Sequence, residues 1–392
     1  MGAQAFASVP TASSGHGRFL GESHDYWRLL SRDAVPLIAT LGLYRFWVAN
    51  DIRRFLWSNT EIAGDELEYT GDPLELLVGF LVLVVILCPL FAAASLAILA
   101  SGQVLVATVF NYAAVVCLAP LALLALYQAR RYRLSHTLFR GLRFRQTGSA
   151  WLYALKTAGW FIINVLTLGL TYPLARKSLE RYKMRHAFYG DLQGDFRGAA
   201  GRLFKTGFLL WLVVLGPAVA IIADESEAAR ALRGATAWLV AAAVVVYPCF
   251  HANALRWRIS GMRFGPVTLD APFSTWGLYK AYLRFFGLML VLAIAAGVIA
   301  AFWQSKVLPN LPTPPPVLLA LVGVIALALA YFVIATVIAF AYQATVRLTL
   351  WRLVVNALTL TGLDALEDAK ATAEWTPHHE GRIAGALNIG GF

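Results

Sequence analysis

Apolar residues fall along this chain in long runs rather than in alternation. Six runs, 76–100, 104–126, 206–223, 235–250, 285–303 and 317–341, match or approach the ~20 residues that a helix needs to cross hydrocarbon. They pair off. Only Ser101-Gly102-Gln103 separates the first two, the short acidic stretch 224–234 the next two, and a proline-rich loop at 304–316 the last two. Each pair predicts a transmembrane hairpin. The polar stretches outside the pairs, 128–150, 176–205 and 253–284, are rich in arginine and lysine. Cations accumulate on the cytoplasmic side of short loops, so these linkers are expected in the cytoplasm.

Two further runs break this scheme. Residues 151–175 are apolar, enough for one crossing and too few for two, yet basic linkers flank them on both sides. A re-entrant or interfacial segment resolves the conflict, because backbone that turns at membrane depth survives when buried in protein or wetted. Asn164 and Gly169 mark the polar turn. Residues 34–49 carry TLGLY at 40–44, much like TLGLTY at 167–172, and take the same reading. The rival is eight full spans with linkers alternating sides.

A pattern recurs after each run: arginines and aromatics on a helix, a polar pair, a glycine, then a bulky residue. It appears as RRFLWSNTEIAGDELEY with Arg53, Arg54 and Gly64, and as RRYRLSHTLFRGLRF with Arg130, Arg131 and Gly141. RYKMRHAFYGDLQGDF with Arg181, Arg185 and Gly190, NALRWRISGMRF with Gly261, and a last copy with Arg352 and Gly362 follow. From Gly42 to Gly169 is 127 residues, a spacing that suggests duplication of a membrane unit. Alternation around each glycine reads as a short strand or hairpin, and pairing between linkers would form a small cytoplasmic sheet.

Composition agrees. Of 392 residues 59% are hydrophobic and 14% charged, against roughly 25% charged in soluble domains. The net charge of +11 is dispersed beside apolar runs rather than gathered in one domain, which argues against nucleic acid. Cys88, Cys117 and Cys249 lack zinc-type spacing. The opening 17 residues lack the charged start and apolar core of a signal peptide. The expected division is a disordered tail at 1–17, membrane repeats at 18–150 and 151–272, a partial repeat at 273–362 and a polar tail at 363–392. The fold class read from the pattern is an all-α polytopic membrane protein. It has three transmembrane helical hairpins, two re-entrant or short apolar segments, and short cytoplasmic β-strands in the linkers.

TLGLYRFW, RRFLWSNTEIAG, the second TLGLTYP, RYKMRHAFYGDLQGDF and the closing GRIAGALNIGGF together resemble the YjgN-like family of bacterial inner-membrane proteins, a domain of unknown function. The resemblance runs from about Phe19 to the C-terminus. It implies an integral inner-membrane location and no particular reaction.

Candidate sites follow from charge. Arg53, Arg54, Arg130, Arg131, Arg181 and Arg185 fit contact with lipid headgroups or an anionic solute; snorkelling and topology are the bland alternative. Asn164 and Gly169 fit a solute path or an interhelical hydrogen bond. No acid lies deep in the six runs, which weighs against a proton-driven pump. His378-His379 stands in a polar tail. No Walker loop, GxSxG elbow, HExxH or dinucleotide fingerprint occurs, so no enzyme, cofactor or metal site is expected. Two functions compete: a transporter or channel for a small anionic or amphiphilic molecule, and a non-catalytic scaffold that binds lipid or a protein partner through its linkers. The expected partners are membrane lipids, anionic ones among them, and no nucleic acid.

Overall fold

The computed structural model describes residues 14–102, 104–222, 227–307 and 316–369. Strand β1 (Ser14–Phe19) leads into two short helices, α1 (Ser23–Ala39) and α2 (Arg45–Ser58), and then a hairpin of β2 (Thr60–Ile62) and β3 (Asp65–Tyr69). A long pair, α3 (Pro73–Ser101) and α4 (Val104–Ser135), feeds β4 (Thr137–Phe139) and β5 (Leu142–Gln146). A second short pair, α5 (Ala150–Leu166) and α6 (Tyr172–Arg185), feeds β6 (Ala187–Tyr189) and β7 (Leu192–Phe196). Next come α7 (Ala200–Ile222), α8 (Glu227–Gly261), β8 (Met262–Phe264) and β9 (Val267–Asp270). The last pair is α9 (Thr275–Phe302) and α10 (Pro316–Tyr342); a π-turn at Gln343–Arg347 continues α10 into α11 (Leu348–Asn356). Strand β10 (Thr359–Thr361) and the single turn α12 (Asp364–Glu367) follow.

The ten strands form one closed antiparallel barrel in the order β1-β10-β9-β8-β7-β6-β5-β4-β3-β2. The chain is therefore not all-α, and this corrects the reading from its hydrophobic pattern. The strands are three to six residues long, too short for period-two alternation to stand out beside runs of twenty apolar residues. Closure depends on pairing between β1 and β10, with Ser14 opposite Thr361 and His16 opposite Thr359, and no local signal announces it. The same pairing puts Ser14–Gly17 in a strand rather than a tail; residues 1–13 lie outside the described residues. Three helical stretches, rather than six, are long and apolar enough to cross a membrane among the described residues: Gly234–Gly261, Thr275–Lys306 and Val322–Asn356.

The hairpin turns follow from their glycines. Ala63-Gly64 and Arg140-Gly141 both have φ between 49° and 90° at each central residue, the pattern of type I′ turns. In the next two hairpins a positive φ falls on Gly190 and Gly265, the first central residue only, as in type II′ turns. Gly261, singled out by the sequence motif, instead ends α8 against Phe196.

The barrel interior is packed. Phe139, Tyr189, Val267 and Leu360 fill it, and Leu363 and Leu366, before and within α12, join the same cluster. The Tyr189 hydroxyl donates to the Phe139 carbonyl at 3.0 Å, so its one polar atom is satisfied. Outside the barrel, helical faces leave Phe161, Ile162, Leu166, Val298, Ile299 and Leu327 exposed. Exposed apolar side chains of this kind are what a bilayer covers.

Candidate functional site

Each barrel strand pair is entered from a helix, and that junction concentrates the charged chemistry. Five arginines stand at matching places, six residues before β2, β4, β6 and β8 and seven before β10. Each donates to backbone where the chain leaves the barrel. Arg54 reaches the Gly71 carbonyl at 3.3 Å, Arg131 the Gln146 carbonyl at 3.0 Å, and Arg181 the Phe196 carbonyl at 3.5 Å. Arg256 reaches the Phe273 carbonyl at 2.9 Å and Arg352 the Gly21 carbonyl at 2.9 Å. Loop carbonyls have no ladder partner, and a guanidinium supplies several donors from one side chain. These arginines staple the entering helix to the leaving loop.

One turn away, other side chains converge from five different helical segments. Arg53 of α2 donates to the Tyr69 hydroxyl at 3.0 Å, and Arg130 of α4 to Gln146 Oε1 at 3.0 Å. Glu180 of α6 accepts from Lys183 Nζ at 2.7 Å and has Arg258 Nε of α8 at 3.3 Å. Arg133 of α4 feels the charges of Arg53, Arg130 and Arg258, and Arg347 of the π-turn feels Arg53. The strands fed by α4 and α8 are not neighbours in the ring, yet their arginines act on one another. Among the described residues these charges form one cationic chamber, with Glu180 the carboxylate that Lys183, Arg258 and Arg130 share. Its walls keep some accessible surface: 32% for the Arg258 side chain and 12% for Lys183, against 3% for Glu180.

The electrostatics match this geometry. Burial pushes the Glu180 carboxyl up, but Lys183, Arg258 and Arg130 outweigh it and hold the group well below the usual carboxylate range. Burial, helped by Arg258 and Arg130, lowers Lys183 to about 7 despite the pull of Glu180. Glu180 Oε2 has no hydrogen-bond partner, and Arg258 Nε has only the 3.3 Å ion pair to Oε1. A buried carboxylate oxygen is costly to leave unpaired. Such a chamber can hold an anion between converging guanidinium groups.

The residues expected from the sequence divide by position. Arg53 and Arg130 face the chamber; Arg54, Arg131 and Arg181 are staples. Arg185 is exposed beside Asp195 at 3.5 Å. Asn164 and Gly169 lie at the turn between α5 and α6. There Leu168 and Gly169 have φ of 50° and 84°, and the Asn164 side chain accepts from the Thr171 hydroxyl at 3.2 Å. Arg133, Glu180, Lys183, Arg258 and Arg347 were not read as site residues. The available signal was spacing: Arg130 and Arg133, like Glu180 and Lys183, stand three apart and share a helix face. Among the described residues no group of three or more His, Cys, Asp or Glu side chains could hold a metal ion.

Comparison with known proteins gives one result. The profile of a family described as a bacterial protein of unknown function (DUF898) matches residues 15–237 and residues 223–373. No curated protein and no solved structure matches the chain.

Proposed function

The chain belongs to this YjgN family of bacterial proteins of unknown function, and on that premise we propose that it is a multi-pass inner-membrane carrier for a small anion, bound in the cationic chamber. The observation that carries this reading is the chamber's charge: Lys183, Arg258 and Arg130 act on the carboxylate of Glu180, and Arg53 and Arg133 lie within reach of the same cations. Clustered cations repel one another, and a bound anion relieves that repulsion.

The orientation in the membrane belongs to the same reading. Joining all five linkers in one barrel keeps them on one side of a bilayer, which favours re-entrant short hairpins over eight alternating spans. Arg18, Arg143, Arg185 and Arg197 decorate the outer surface of the barrel, so the cation rule sets it in the cytoplasm. The matched lengths of the two short hairpins, helices of 17 and 14 residues in each, agree with duplication.

One observation favours a scaffold instead. The barrel is filled by Phe139, Tyr189 and Leu360, so passage through it needs the core to move. Two measurements on purified protein separate the readings. Equilibrium dialysis against inorganic phosphate, sulfate and short carboxylates should show saturable binding that Arg133→Gln and Arg258→Gln reduce. Proteoliposomes should then take up the bound anion faster than protein-free vesicles. Binding without uptake leaves a receptor or scaffold. Binding of none of these anions removes the chamber as the site.

A further inference from the structure

The two short hairpins align without gaps: α1 and α5 begin at residues 23 and 150, α2 and α6 at 45 and 172, each 127 apart. Their outer faces nonetheless differ in charge. Between α5 and α6 lies a groove of about 370 Å³ lined by Lys156, Trp160, Leu174, Lys177, Arg181 and Arg185, among others. In the same register the first hairpin has Leu29, Asp33, Trp47, Asn50, Arg54 and Ser58. Of four cations only the staple arginine is common to both. The first hairpin also spends Arg32 on its own acids, Asp33 at 2.8 Å and Asp51 at 2.5 Å.

A topology signal needs cations near both hairpins and does not prescribe a groove. Here Lys177, Arg181 and Arg185 recur every fourth residue down one face of α6. Lys156 comes across from α5 and rests over the Tyr182 ring at 4.6 Å. Among the described residues no carboxylate pairs with Lys156, Lys177 or Arg181. The chamber lysine, Lys183, lies on the opposite face of the helix, so this is a second site. The groove is also graded along its length. Trp160 and Leu174 lie toward the apolar turn at 167–171, and Arg181 and Arg185 lie next to the barrel. Beyond its rim Leu155, Phe161 and Ile162 are exposed.

We propose that this groove binds the phosphate head of an anionic phospholipid, with its acyl chains lying along the apolar face of α5. The gradient has the polarity of a lipid: cations to meet phosphate at one end, an indole at headgroup depth, apolar side chains beyond. A free phosphate would use the cations and leave the apolar end idle.

The test uses full-length protein, delipidated in detergent and mixed with equimolar phosphatidylglycerol and phosphatidylcholine, with retained lipid measured by mass spectrometry after repurification. Wild type should retain phosphatidylglycerol selectively. K156Q/K177Q should bind it roughly twenty-five-fold more weakly, at about fivefold per cation, while K156R/K177R retains it. R202Q/K205Q, which removes two exposed cations from neighbouring α7, should match wild type. K177Q alone, with an intermediate loss, serves if the double variant does not run as a single species on gel filtration. Equal retention in K156Q/K177Q and wild type overturns the proposal, as does equal loss in R202Q/K205Q. Inorganic phosphate that binds the lipid-free protein and displaces the phospholipid at millimolar concentration overturns the lipid assignment and leaves a phosphate site.

Discussion

Replacing Glu180 by glutamine tests the chamber most directly. The change keeps the shape of the side chain and removes the carboxylate charge. Glu180 is 2% exposed, 2.7 Å from Lys183 Nζ and 3.3 Å from Arg258 Nε. At an effective dielectric of about 20 these two contacts give roughly 6 and 5 kcal/mol of gross attraction. Most of that is offset by the cost of burying the ions, and removing one partner of a buried pair costs about 3–5 kcal/mol net. Lys183 limits the loss. With its pKa already lowered to about 7, mainly by burial, it sheds its proton once the carboxylate is gone. The destabilisation should therefore be larger at pH 6 than at pH 8. For a chain of 392 residues the expected drop in Tm is roughly 4–6 °C, read by tryptophan fluorescence of detergent-purified protein. An anion should substitute for the lost carboxylate: at about 100 Kd a bound ligand adds ~2.7 kcal/mol, so inorganic phosphate should raise the Tm of E180Q more than that of wild type. A Tm within about 1 °C of wild type at both pH values, or equal phosphate responses, would refute the reasoning.

Other outcomes follow from the same geometry. Lys183 has its folded pKa lowered, so the unfolded chain holds a proton that the folded chain releases above about 7. Its burial therefore penalises the fold fully below pH 7, and the penalty fades as pH rises toward the unfolded lysine value of ~10.4. The folded chamber loses that charge as pH rises through about 7, so anion affinity measured by calorimetry should weaken above pH 7, and K183R should flatten that dependence. Phe196 is fully buried against Trp257, with ring centroids 5.0 Å apart; Phe196→Ala should cost about 3–5 kcal/mol in denaturant unfolding. Arg256→Lys keeps the charge but loses two guanidinium contacts to the Phe273 carbonyl. It should destabilise by ~1–2 kcal/mol, whereas a loss under a few tenths would show that the fork is dispensable. In a cysteine-free background, cysteine at Arg197 on the barrel exterior should resist an impermeant thiol reagent in intact cells; labelling as strong as at residue 226 would place the barrel outside.

Much of the linker structure was legible because short-range chemistry governs it. Gly64, Gly141 and Gly190 marked real hairpin turns, since a positive φ is cheap only at glycine. The TLGL strings marked real helix reversals for the same reason at Gly42 and Gly169. Barrel closure was not legible. It depends on backbone pairing between strands of three to six residues from opposite ends of the chain, and backbone pairing leaves almost no trace in side-chain identity. The chamber was half legible. Arg53 and Arg130 were picked out as members of arginine pairs, but nothing local distinguishes an arginine that turns inward from its neighbour, which staples a loop. The distinction is an angle of about 100° around the helix, and it acquires meaning only once five helices are arranged around one axis. Glu180 carries no local signal because its importance comes from Arg258, which lies on another helix and far along the chain.

The pairing of β1 with β10 also sets a timetable. Residue 14 meets residue 361, so the barrel stays open until the ribosome has passed residue 361. At 5–20 residues per second, the interval between the first strand and the last is roughly 20–70 s. During it β1 can pair with β2, but its other edge and the free edge of the newest hairpin stay available to any strand nearby. An unpaired edge invites a partner from another chain. A message truncated before residue 359 should accordingly yield oligomers joined through open barrels, whereas the full-length chain closes on itself with its own last strand.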